Sequence, residues 1–113
     1  MNTLRIGYAV SLTFVVLLIL PNLVSAAPDG AALYKKKCAV CHGKNGVPPK
    51  AFARQGVKNH RNPEWQKAMS DEDMRKVIAD GSKGTMMRAF RKEFEADEIE
   101  ALVKHIRSLG REE

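Results

Sequence analysis

The chain has 113 residues, a formal charge of +6 and two cysteines. That length bounds it to one small domain, and two cysteines cannot build a disulfide framework. Basic charge admits nucleic acid as a partner, but no helix-turn-helix pattern or aromatic ladder accompanies it, so nucleic-acid binding is set aside.

Residues 1–26 read as a secretory signal. Met1 to Arg5 carries one positive charge, and Ile6 to Leu20 is almost wholly apolar. Pro21 breaks the run, and Val24-Ser25-Ala26 offers small residues for cleavage before Ala27. The run falls short of the ~20 residues of a spanning helix, which favours cleavage over an uncleaved membrane anchor. The expected location is therefore outside the cytoplasm, in the periplasm, with tethering only if the N-terminus is retained.

From Ala27 onward 87 residues remain, with five aromatics: Tyr34, Phe52, Trp65, Phe90 and Phe94. So short a chain buries little apolar surface, and its core needs a supplement. Charge is uneven along it. Ala27 to Lys67 holds nine Lys and Arg against two acids, a net +7, whereas Ala68 to Glu113 nets −2. An acidic protein partner or an anionic surface suits the basic half.

Asp29 is placed to cap a first helix running from about Gly30 into Cys38, with Leu33 and Tyr34 on its apolar side. Gly30 lowers helix propensity, so it lies at the cap or allows a close helix contact. Cys38-Ala39-Val40-Cys41-His42 follows. Two thiols one helical turn apart, with an imidazole beside the second, form the attachment sequence for a c-type haem. Each sulfur adds to a porphyrin vinyl group, and the histidine binds the iron. A thioredoxin-like CxxC requires a strand-helix-strand setting that is missing here. Structural zinc requires a fourth ligand, and neither His60 nor His105 stands at zinc-module spacing. A flat, largely apolar porphyrin is also the core supplement that the chain lacks.

Gly43 to Arg61 shows no sustained period and is rich in breakers. A loop this long is expected to wrap something; Phe52 is its one large apolar residue, expected to pack on the porphyrin, and His60 reads as an exposed loop residue. Asn62-Pro63-Glu64-Trp65 starts a short helix with Pro at its first position. Trp65 fills the core or donates its indole N–H to a haem propionate. Ser70-Asp71-Glu72-Asp73 starts the next helix, with Met74, Val77 and Ile78 as its buried stripe and Gly81 as its stop. Ser82 to Lys92 is a loop holding Met86 and Met87. The last helix spans about Ala96 to Leu109 and buries Ile99, Leu102, Val103, Ile106 and Leu109, with His105 packing beside that face.

Laid out in this order, residues 27–113 resemble the class I c-type cytochromes, especially the small bacterial ones. Gly30 to Gly43 is similar to the family's opening, Ile78-Ala79-Asp80-Gly81 and Met87-Arg88-Ala89-Phe90 to its methionine loop, and Leu102 to Leu109 to its final helix. The resemblance implies an all-α cytochrome c fold, three to five helices around one haem c held through Cys38 and Cys41. It implies iron bound by His42 and Met87, with Met86 as competitor for the second position. A Pro carbonyl, from Pro48 or Pro49, would accept from the His42 ring, and Gly30 and Tyr34 would pack on Leu102 and Ile106. It implies a monomeric electron carrier that meets acidic redox partners. Three positions depart from the pattern: Arg88 replaces a proline, His105 stands where Tyr is usual, and Glu95 stands where Ser, Thr or Asp caps the last helix. Without the methionine, a five-coordinate haem would bind small ligands or reduce peroxide. A cytochrome subunit of a larger oxidoreductase is the other alternative.

Overall fold

The structure is a computed structural model that describes residue 21 and residues 25–112. The expected signal segment lies almost wholly outside the described residues. Among those described there is no strand, and no helix is long and apolar enough to cross a membrane.

Within the described residues six helical segments follow one another: α1 (Gly30–Lys37), α2 (Ala39–His42), α3 (Lys50–Ala53), α4 (Pro63–Ala68), α5 (Asp71–Asp80) and α6 (Ala96–Leu109). The expected all-α architecture is present. The count exceeds five because two segments are single turns, one of them inside the stretch read as loop. That one, α3, forms where the Pro49 carbonyl accepts from the amides of Phe52 and Ala53, both at 2.9 Å.

Helix boundaries follow capping chemistry. Asp29 accepts from the Ala32 amide at 3.1 Å, Asn62 from Trp65 at 3.0 Å, and Ser70 from Asp73 at 3.0 Å. Glu95 caps α6 in its own way, its amide donating to the Glu98 carboxylate at 3.0 Å. That reciprocal arrangement substitutes for the missing hydroxyl.

The core lies between α1, α5 and α6. Leu102, Val103 and Tyr34 are sealed from solvent, and Met74, Ile78, Ile106 and Leu109 surround them. Phe90 and Phe94 close one end, their rings stacked with centroids 5.3 Å apart. Each such apolar side chain contributes roughly 1.5–3 kcal/mol of transfer free energy. Helix α1 crosses α6 at Gly30, where a Cβ would sit 2.1 Å from the Ala101 carbonyl oxygen. Gly30 therefore serves both roles left open by its sequence position: it begins the helix and it permits contact. Behind it, His105 lies against Tyr34 with ring centroids 4.9 Å apart, the packing role expected of it.

Candidate functional site

Helix α1 ends at Cys38, whose amide donates to the Tyr34 carbonyl at 2.8 Å. The single turn α2 then carries Cys41 and His42, the His42 amide donating to the Cys38 carbonyl at 3.0 Å. Gly43 stops it with φ +80°, where a Cβ would fall 1.9 Å from the Val47 carbonyl oxygen. Only glycine accommodates both demands. The two thiols are free and half-buried. Burial, with Cys41 nearby, pushes the Cys38 thiol up to about 11, so it is neutral at physiological pH.

The His42 ring is oriented by main chain. Its Nδ1 lies 2.9 Å from the Lys58 carbonyl, and because a carbonyl only accepts, Nδ1 carries the proton. Burial lowers the pKa of this histidine although the Lys58 contact opposes that effect. The neutral ring then offers Nε2 as its lone pair. The acceptor is thus neither Pro48 nor Pro49, correcting the sequence expectation. The Pro49 carbonyl already serves α3, and the chain runs past that turn before Lys58 returns to the ring.

His60 requires a second correction. It is 5 % exposed, not a loop residue in solvent. Its ring stacks on His42 with centroids 4.1 Å apart and planes 17° apart. Its Nδ1 lies 3.0 Å from the Tyr34 hydroxyl, which also lies 3.2 Å from the Gly43 carbonyl. One hydroxyl proton satisfies both contacts when His60 Nδ1–H donates to Tyr34 and Tyr34 donates to Gly43. Burial, with His42 and His105 adding, drives the His60 pKa down to about 3. Gln66 fixes the backbone here, donating to the His60 carbonyl at 2.6 Å and to the Ile106 carbonyl at 2.9 Å.

Trp65 packs against the core and against His60, with ring centroids 4.9 Å apart. Its Nε1 is buried and, among the described residues, has no hydrogen-bond partner. An unpaired buried donor costs roughly 1–3 kcal/mol, so it marks a position where an acceptor belongs. Phe52 is half-buried on α3.

The methionine loop returns to α5. Phe90 and Arg91 amides donate to the carbonyls of Ile78 and Ala79, and the Ser82 amide donates to the Met87 carbonyl at 2.9 Å. Gly81, at φ +74°, allows this approach, since a Cβ there would meet the Met87 carbonyl oxygen at 2.7 Å. Met87 packs against the core, whereas Met86 is 55 % exposed. Arg88 pairs with Glu93 and lies over the Phe90 ring, 4.1 Å from its centroid. Glu93 in turn reaches Lys37 on α1 at 3.1 Å. Sequence reasoning gave no role to Lys58 or Glu93 and read His60 as exposed; Lys58 acts through its backbone carbonyl, which no residue type signals.

Free thiols at CxxCH spacing, a histidine fixed in the Nδ1–H form and a buried indole donor suit a covalently attached haem. Residues 25–106 match the family described as cytochrome c oxidase, cbb3-type, subunit III. The chain belongs to this family. As a small c-type cytochrome it is also similar to solved structures. The c-type cytochrome KustC0563 is 33 % identical, with a TM-score of 0.67, over 73 % of this chain and 98 % of its own. A Tyr-to-Phe variant titled Kustc0563 is 32 % identical, with a TM-score of 0.66, over 73 % and 99 %. A search of curated proteins finds no match. Membership in a c-type cytochrome family implies covalently bound haem with iron, and electron transfer as the general activity.

Proposed function

We propose that this cytochrome carries one haem c, bonded through Cys38 and Cys41, with His42 and Met87 as axial ligands, and shuttles single electrons between periplasmic proteins. The observation that carries the reading is the fixed His42 ring: its proton is committed to the Lys58 carbonyl, so Nε2 is free to bind a metal. A bound haem iron supplies the reversible one-electron change, and no substrate bond is made or broken.

The chain's residues set the terms of that exchange. The Lys58 carbonyl raises the basicity of His42 and holds its plane. The Met87 sulfur is a soft donor that favours the reduced state, and its place against the core supports it over exposed Met86. Trp65 Nε1 is a ready donor to a propionate. The lysines of α1, Lys35, Lys36 and Lys37, with Lys44 and Lys50, suit docking by an acidic partner.

Visible absorption of the purified protein in both oxidation states tests the reading. A low-spin spectrum with a weak far-red ferric band is expected; rapid carbon monoxide binding without that band would sink the His/Met assignment. A second reading, a cytochrome subunit of a larger oxidoreductase, is favoured by the oxidase-subunit family that matches. Co-elution with membrane-oxidase subunits supports it, and elution as a lone monomer supports the free carrier.

A further inference from the structure

We infer that His60 is a positioning residue for the His42 ring, clamping the plane of the imidazole that faces the iron. The inference rests on the proposed haem ligation and adds to it a side chain that the CxxCH sequence does not contain.

Two contacts define an imidazole plane. The Lys58 carbonyl fixes one point, at Nδ1, and leaves rotation about the line through that atom. The face of His60, 4.1 Å away and 17° from parallel, removes that freedom. His60 is itself fixed on three sides: by Tyr34 at Nδ1, by Trp65 against its ring and by Gln66 at its carbonyl. The Tyr34 hydroxyl, 3.0 Å from His60 Nδ1, holds the edge of that ring in place while its own proton goes to the Gly43 carbonyl. The chain of contacts runs from α6, through Gln66 and His60, to the ring. Partners that orient a ligating histidine tune the metal it binds, and a ring stack adds a preference for one relative plane.

The test uses the full chain produced with haem attached. Haem-methyl proton shifts of the ferric protein report the plane of the axial imidazole, and the midpoint potential reports its donor strength. His60→Ala removes the clamp; His60→Phe keeps a flat ring but loses the bond to Tyr34. His60→Ala is expected to redistribute the methyl shifts and to change the ferric–ferrous equilibrium about threefold, or about 28 mV at 59 mV per tenfold. His60→Phe is expected to restore most of the native pattern. Native shifts and potential in His60→Ala, or a His60→Phe displaced as far as His60→Ala, would overturn the inference. If His60→Ala gives no folded protein, His60→Leu decides the matter, because it fills the space without a flat face: shifted methyl resonances support the clamp and native ones refute it. A parent chain without haem in its haemochrome spectrum would instead overturn the ligation on which the inference stands.

Discussion

The crossing of α1 and α6 yields the sharpest stability prediction. In Gly30→Ala the new methyl would lie 2.1 Å from the Ala101 carbonyl oxygen and 2.6 Å from its carbon, with the His105 Cβ at 3.3 Å. The nearest obstacles are backbone atoms, so no rotamer change relieves the clash and the two helices must separate. Overpacking of this kind costs about 1–3 kcal/mol. Alanine regains up to about 1 kcal/mol of propensity in a helix interior, but Gly30 is the first residue of α1 and recovers less. The net loss of about 1–2 kcal/mol should lower Tm by about 4–8 °C for each kcal/mol in a domain of this size. Circular dichroism melts of the haem-loaded protein measure it. Gly56→Ala is the reference, since Gly56 has φ +85° but nothing within 4 Å of a Cβ, leaving backbone strain alone. A Gly30→Ala protein melting at or above the parent would refute the close-contact argument.

Met87→Leu should abolish the far-red ferric band while Met86→Leu preserves it, and the reverse pattern would exchange their roles. Trp65→Phe should destabilise the haem-loaded protein by about 1.5–3 kcal/mol, the worth of a hydrogen bond to a charged acceptor; urea titrations of the two proteins that coincide would exclude a propionate contact. Hydrogen bonds from Arg88 and Lys37 hold the Glu93 carboxyl at about 2, well below the usual carboxylate range. Because the folded-state value is depressed, its stabilisation is complete above about pH 4.5 and fades as pH falls toward 2. The stability difference between parent and Glu93→Gln should therefore shrink across that window, and a difference constant with pH would rule the linkage out.

The all-α class and the helix ends were legible because they depend on local chemistry. Asp29, Asn62 and Ser70 each cap the helix their position announces, and the apolar spacing of Ile99, Leu102, Val103, Ile106 and Leu109 marks the α6 face buried in the structure. The CxxCH spacing of Cys38, Cys41 and His42 stands out in the sequence because it is local. The surroundings of His42 were not. Lys58 contributes a backbone carbonyl, which has no residue signature, and reaches the ring across 16 positions of aperiodic chain. His60 sits among Asn59, Arg61 and Asn62, so its neighbours announce solvent. Only Tyr34 and Trp65, from other segments, draw it inside. Arg88, a departure from the family pattern, finds its counterpart in Glu93, five residues along a loop where no helical register links them.

That Lys58 serves the imidazole through its backbone has an evolutionary corollary. The side chain at position 58 is at liberty to change sign or size without disturbing the ring, since every amino acid brings the same carbonyl. Exposed charge at this position and the orientation of the histidine can thus drift separately at a single codon.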